Sequence, residues 1–162
     1  MPDLASETGP YVQYRTEVRA EWIDYNGHLH DAGYAIVLSE ANEALLAHLG
    51  LSEAYQAATG RAMYTVESHI RYLAEASRGD VIEAESLLVS ADAKRLRVHT
   101  LLRRAGGVAV ATGEYLYLHV DQAAGGVTAM PPDRWAAVSA LLSAHAPLDR
   151  PGHLGGGVGA GR

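Results

Sequence analysis

One long helical repeat, followed almost entirely by strand-like segments, constrains the fold of this chain most. The helix is marked by apolar residues that recur at steps of three and four, on one face: Tyr34, Leu38, Ala41, Leu45 and Leu49. Asp31 is a suitable N-cap and Gly50 stands where a C′ glycine belongs. The pattern therefore predicts a helix over residues 32–49.

The strands are predicted before and after this helix. Residues 11–18 form the first, and the region from 62 to 120 contains the others. Its first segment has the two-residue alternation of a half-buried strand: Tyr64, Val66, Ile70 and Tyr72 alternate with Thr65, Glu67, His69 and Arg71. Turns at 78–80, 91–93 and 106–107 then separate strands over 81–90, 95–104 and 108–120. A short helix is expected from Pro131 to about His145.

This order of elements excludes a parallel doubly wound sheet, which needs strands and helices in alternation. We expect an α+β fold in which an antiparallel sheet wraps around one long central helix. One helix covers only part of a sheet face, so the remaining surface needs a partner subunit. The sequence therefore predicts a homodimer or a homotetramer.

Length and composition limit the other possibilities. A chain of 162 residues suits one domain; we place it at residues 11–148, between a flexible leader (1–10) and a Gly-rich tail (149–162) expected to be disordered. The absence of cysteine excludes disulfides and cysteine-ligated metals. The net charge of −6 argues against nucleic-acid binding. Neither a signal-peptide pattern nor an apolar run of ~18 residues is present, so we expect a cytoplasmic protein without a membrane partner.

Three motifs resemble a known family. Residues 24–29 (DYNGHL) entering the long helix with Tyr34 in its first turn, residues 66–73 leading to Gly79-Asp80, and residues 111–114 through Asp121 to Pro131-Pro132 are similar to 4-hydroxybenzoyl-CoA-thioesterase-like hotdog proteins. Within that family, residues 21–28, 64–67 and 92–96 look most like the betainyl-CoA thioesterases found with carnitine dehydrogenase. The resemblance covers about residues 11–145 and implies hydrolysis of an acyl-CoA. The chain departs from the family pattern at His30 and Asp31, where uncharged polar residues are usual.

The resemblance assigns the catalytic residues to the loop before the helix. Asp24 is expected to be the carboxylate that attacks the thioester or activates water. The backbone N–H of Asp31, in the first helical turn, would stabilise the oxyanion. His28 is expected to support Asp24 within the same loop. Spacing alone favours the alternative that Asp24 is a turn former ahead of Asn-Gly.

Five further residues are candidates for substrate binding. Trp22, Tyr25 and Tyr64 are proposed as an aromatic wall for a quaternary ammonium group, and Glu67 as a balancing negative charge. His30 is a candidate for orienting the substrate carbonyl. The plain alternatives are that the rings pack in the core or an interface, and that Glu67 is a solvated strand residue.

The basic residues of one predicted hairpin are candidates for binding the phosphates of CoA: Lys94, Arg95 and Arg97, with Arg103 and Arg104 nearby. Charged edge strands also deter aggregation, which is the competing explanation. His28 and His30 beside two aspartates suggest a metal site, but a third ligand at a firm spacing is missing, so we expect neither a metal nor another cofactor. Two alternative functions remain: a hotdog enoyl-CoA hydratase or dehydratase using Asp24 with His28 or His30, and a non-catalytic acyl-CoA-binding domain.

Overall fold

The computed structural model describes residues 9–158, which form one antiparallel sheet and several helices. In chain order the elements are β1 (Tyr11–Glu17), a 3-10 turn (Ala20–Trp22), α1 (Asp31–His48), α2 (Glu53–Thr59), β2 (Arg61–Tyr72), β3 (Val81–Asp92), β4 (Arg95–Arg104), β5 (Val108–Asp121), β6 (Gly126–Val127) and α3 (Pro132–His145). None of the helices in this part of the chain is long and apolar enough to cross a membrane.

The sheet has the strand order β1-β3-β4-β5-β2, with β6 added beside β5. Helix α1 packs against β1, β3, β4 and β5, and its inward residues Leu38 and Leu45 are fully buried between helix and sheet. The sheet approaches the helix closely at Gly113, where a Cβ would lie 3.0 Å from the side chain of Leu38. The predicted α+β architecture, an antiparallel sheet around one long helix, is therefore confirmed.

The predicted alternation along β2 is wrong at its centre, because the strand contains a β-bulge. Thr65 pairs with Tyr117 and Glu67 pairs with Leu116, so Val66 is an extra residue without a partner on β5. A one-residue insertion moves the following side chains to the opposite faces. Tyr64 therefore shares a face with Glu67, although the sequence pattern placed the two on opposite faces.

Two short elements escaped the sequence analysis, α2 and β6. Helix α2 spans seven residues, which is too short for a helical period to stand out, and β6 spans two. Gly50, with a φ of +73°, ends α1 as predicted and turns the chain toward α2.

The tail also differs from expectation over its described part. Along residues 149–158 the chain lies on the outer face of the sheet, the face opposite α1. There the backbone N–H of Gly155 donates to the Glu114 carboxylate at 2.9 Å, and the ring of His153 lies 5.3 Å from that of His99. This part of the tail therefore packs on the sheet, contrary to the expectation, because the backbone N–H of Gly155 and the His153 side chain contact residues of the sheet. Residues 1–8 of the predicted leader and 159–162 of the predicted tail lie outside the described residues.

Candidate active site

A cleft of about 420 Å³ lies where the loop before α1, the first turn of α1 and the exit of β2 meet. Two of the predicted catalytic residues and the helix N-terminus face the same space, together with two tyrosines and a glutamate: the lining includes Asp24, His28, Asp31, Tyr34, Tyr72 and Glu75. The sequence separation between the loop and the exit of β2 is about 45 residues, and the wrapping of the sheet around α1 brings them together.

The Asp24 loop is a tight turn that the side chain of Asp24 itself stabilises. Its Oδ1 accepts from the backbone N–H of Asn26 at 2.8 Å, and its Oδ2 accepts from Asn26 Nδ2 at 3.2 Å. The backbone N–H of Asp24 donates to the carbonyl of His28 at 2.9 Å, and Gly27 takes a φ of +84°, which favours glycine. Asp24 is therefore a turn former and a cleft residue at once, and the turn fixes the direction of its carboxylate.

The hydrogen bonds around Asp24 favour its ionised form. Desolvation acts to raise its pKa, but the N–H donors of Asn26 and the backbone N–H of His28 together outweigh it, so the pKa lies below the ordinary value. Asp24 thus presents a carboxylate, and not a carboxylic acid, to the cleft at neutral pH.

Helix α1 begins differently from the prediction. His30, and not Asp31, is the N-cap: its Nδ1 accepts from the backbone N–H of Gly33 at 2.9 Å. A ring nitrogen that accepts cannot carry the proton, so neutral His30 has its proton on Nε2. Capping occupies Nδ1 of His30, and the predicted role of His30 in orienting a substrate carbonyl stays a prediction.

Asp31 is consequently the first residue of the helix, the N1 position. Its own carboxylate accepts from the backbone N–H of Ala32 at 2.9 Å. Its backbone N–H has no hydrogen-bond acceptor within residues 9–158. A free N–H at the positive end of an 18-residue helix can donate to a developing negative charge.

His28 reaches across the cleft and away from Asp24. Its Nε2 lies 3.3 Å from a carboxylate oxygen of Glu75, and only its backbone N–H approaches Asp24, at 3.5 Å. An Asp–His acid–base pair between Asp24 and either imidazole is therefore not formed, since His30 is committed to the cap.

The three rings predicted to form an aromatic wall do not meet within one chain. Trp22 is 5% exposed and packs in the core beneath the Arg19 guanidinium, 4.5 Å from the ring. Tyr25 is 97% exposed at the tip of the loop. Tyr64 lies on β2, where its hydroxyl accepts from Gln122. The structure agrees with the plain interpretation for Trp22.

A different aromatic pair lines the cleft, which sequence reasoning missed. The rings of Tyr34 and Tyr72 lie 5.6 Å apart in an edge-to-face arrangement, and the Tyr34 hydroxyl donates to the carbonyl of Ala74 at 3.0 Å. The sequence analysis placed Tyr72 in a strand and assigned no role to Glu75. Their position where β2 leaves the sheet, opposite the helix N-terminus, was the available signal.

The predicted CoA-binding residues are largely paired with carboxylates. Arg95 binds Asp92, and Arg97 binds Glu114; Arg103 binds Glu85 at 2.7 Å, and Arg104 lies 3.5 Å from Asp80. Lys94 is exposed at the tip of the hairpin. The hairpin is therefore less basic than its sequence suggests, and its role in binding CoA stays a prediction.

Glu67 lies apart from the cleft. It faces a separate depression of about 230 Å³ on the outer face of the sheet, together with His69, Arg97, Glu114 and the described tail. Within one chain it adds no charge to the cleft that holds Asp24.

Comparisons with known proteins agree on one family. Residues 18–141 match the family described as the thioesterase-like superfamily. The chain is 39% identical over 147 residues to the betainyl-CoA thioesterase of Pseudomonas aeruginosa, covering 90% of this chain and 92% of that protein. It is 43% identical over 154 residues to the L-carnitine dehydrogenase/betainyl-CoA thioesterase of Agrobacterium fabrum. That match covers 94% of this chain, which spans only 31% of the length of that relative.

Solved structures superpose on this chain and have the same fold. A hypothetical protein from Staphylococcus aureus, solved in complex with CoA, superposes with a TM-score of 0.85 at 26% identity, covering 94% of this chain and 98% of that chain. The DHNA-CoA thioesterase from Staphylococcus aureus superposes with a TM-score of 0.74 at 16% identity, over 80% of this chain and 89% of that one, and shares the fold.

Proposed function

The chain belongs to the thioesterase-like superfamily and has its hotdog fold, and we propose that it hydrolyses a small acyl-CoA thioester to the free acid and CoA. The observation that carries the proposal is that one cleft is lined by both Asp24, whose pKa is held below its ordinary value, and Asp31, whose backbone N–H has no acceptor within residues 9–158. Hydrolysis of a thioester needs a group that attacks or activates water and a donor for the oxyanion. We propose that Asp24 fills the first role and the N–H of Asp31 the second.

Two routes are compatible with this pair of groups. Asp24 takes a proton from a water molecule whose oxygen bonds to the thioester carbon; alternatively, its own oxygen bonds to that carbon and water later cleaves the mixed anhydride. In either route the carbonyl oxygen becomes negative and accepts a hydrogen bond from the N–H of Asp31. The C–S bond breaks as the C=O bond re-forms, and coenzyme A leaves as a thiolate that is then protonated.

We propose betainyl-CoA as the substrate, since two relatives carry that name. Carboxylates of Asp24, Asp31 and Glu75 line the cleft, whereas no Lys or Arg of residues 9–158 does. An acyl group that carries a positive charge is favoured by such surroundings. The 3′,5′-ADP end of CoA is left outside the cleft, where Lys94, Arg95 and Arg97 stay candidates for its phosphates.

The test of the proposed function is release of free thiol. With dithionitrobenzoate and a panel of acyl-CoAs, we expect thiol to appear in step with loss of the thioester, and fastest with betainyl-CoA. Loss of an enoyl absorbance without thiol would instead identify a hydratase, and a thermal shift without turnover would identify a binding domain. The separation of His28 and His30 from the Asp24 carboxylate argues against the hydratase.

We also propose that the chain assembles through β2, as a dimer or a pair of dimers. This strand is an edge of the sheet, so its outward backbone groups are available to another strand. Two large apolar side chains in the middle of this strand are half-exposed: Tyr64 is 45% exposed and Val66 is 51% exposed. The cleft lies at the end of the same strand, so a second copy would border it.

Replacing Val66 with aspartate is expected to weaken this assembly, because a charge would then face the partner's strand. Light scattering after gel filtration should shift from the mass of two or four chains toward that of one. Val12→Asp is the matched control, since Val12 is 62% exposed on β1, the opposite edge of the sheet. Equal masses for the wild type and both variants would rule out β2 as the interface.

A further inference from the structure

We propose that Tyr72 and Glu75 form the subsite that recognises the positively charged head of the acyl group, with Tyr34 holding Tyr72 in place. The inference rests on the proposed function and names the residues that select the substrate. It replaces the aromatic wall expected from the sequence, whose three rings lie apart in the structure.

The ring of Tyr72 is available and held in place. It is 47% exposed in the cleft, whereas Tyr34, its edge-to-face neighbour, is only 4% exposed. The Tyr34 hydroxyl is bound to the carbonyl of Ala74, two residues after Tyr72, so helix α1 and the end of β2 are tied together at this point. An exposed ring on a fixed support offers its face to a ligand at a low entropic cost.

Negative charge surrounds this pair of rings. Burial is the largest cause that raises the pKa of Tyr72, and the negative charge of Asp31 raises it further. Burial is also the largest cause that raises the pKa of Tyr34, and the negative charge of Glu75 adds to it. Glu75 has a side chain that is 75% exposed, beside the cleft. Two basic side chains approach Glu75: the Nε2 of His28 lies 3.3 Å from its carboxylate, and Arg104 donates to its backbone carbonyl and lies 3.5 Å from Asp80.

The chemistry of the head group explains why these residue types are suited. A trimethylammonium has no N–H to donate, so it is not recognised through N–H hydrogen bonds. An aromatic face attracts it through the ring quadrupole, and a nearby carboxylate adds charge attraction that weakens as salt rises. Tyr72 supplies the first contribution and Glu75 the second.

The experiment compares betainyl-CoA with 3,3-dimethylbutanoyl-CoA, which has the same shape with carbon in place of nitrogen. The change in the ratio of their kcat/KM values from wild type to variant measures recognition of the charge, because the intrinsic reactivity of each thioester is the same for both enzymes. We expect Tyr72→Leu to lower this ratio by about 3- to 30-fold, and Tyr72→Phe, which keeps the ring, to lower it much less. Glu75→Gln should lower the ratio by about 2- to 5-fold at low salt, and by less at high salt.

Glu53→Gln is the matched control for Glu75→Gln. Glu53 is an exposed carboxylate in the first turn of α2, which follows the C-terminal end of α1, whereas the cleft lies at the N-terminal end of α1. It should leave the ratio unchanged. An unchanged ratio in Tyr72→Leu and Glu75→Gln, with both substrates still hydrolysed, would overturn the subsite and leave the proposed function intact. Failure of the wild type to release thiol from either substrate would instead overturn the proposed function.

Discussion

Substitution of Asp24 by asparagine or alanine is expected to lower kcat for thioester hydrolysis by about 10²- to 10⁴-fold, the range typical of a lost general base. Asparagine keeps the shape and the turn but cannot take a proton at neutral pH. Alanine also removes the oxygens that accept from Asn26. Stopped-flow or steady-state release of thiol measures the effect, and the melting temperature shows whether the fold persists.

The matched control for Asp24 is Glu21→Gln, which removes an exposed carboxylate of the same connecting segment that does not line the cleft. Glu21→Gln should retain the wild-type rate. Full activity in both Asp24 variants would refute the proposed mechanism, even if the chain is a thioesterase.

The pH profile follows from the same geometry. Because the hydrogen bonds from Asn26 and His28 hold the pKa of Asp24 below its ordinary value, the active ionised form is kept as the pH falls. Loss of kcat/KM through protonation of Asp24 is thus expected only below about pH 4. An acid limb centred near pH 6 that survives Asp24→Asn would assign the proton transfer to an imidazole instead.

Much of the fold was predictable from local patterns. Interactions between residues close in sequence determine the end of the long helix and the turns between strands. The structure confirms, within one or two residues, the helical period that ends at Leu49, the glycine at position 50 and the turns at 78–80 and 106–107. These features depend on neighbours a few residues apart in sequence. The antiparallel order then followed from the scarcity of helices between the strands.

The parts that could not be predicted depend on distant contacts. The bulge at Val66 is decided by the pairing of β2 with β5, about 50 residues later, and it reverses the faces of Tyr64 and Glu67. The arginines of the hairpin appeared free in the sequence because their carboxylate partners, such as Glu114 for Arg97, lie on the neighbouring strands.

The candidate site shows the same division. The resemblance of the Asp24 loop identified a carboxylate near a helix start. The structure was needed to place Tyr72 and Glu75 opposite it and to show that His30 occupies the cap. That last difference matters for mechanism, because it moves Asp31 to the N1 position and leaves its N–H free.

Substitution of Asp31 by proline is expected to lower kcat by about 10²- to 10³-fold, the cost of removing one oxyanion donor. Proline lacks the backbone N–H, and N1 is the helical position that tolerates it best. The preceding residue must be extended, and His30 already has φ −69° and ψ 161°. No hydrogen bond within residues 9–158 is lost from the Asp31 N–H, so the melting temperature should change little relative to Asp31→Ala, which also lacks the carboxylate that accepts from Ala32.

Asp31→Ala separates the backbone effect from that of the side chain, since alanine removes the carboxylate and retains the N–H. Measured on 3,3-dimethylbutanoyl-CoA, where charge recognition plays no part, the proline variant should be slower than the alanine variant by most of the predicted factor. KM should differ much less than kcat, because the hydrogen bond strengthens as the carbonyl oxygen becomes negative. Equal rates for the two variants would mean that the oxyanion is stabilised elsewhere, and that the N-terminus of α1 positions Asp24 without itself contacting the reacting oxygen.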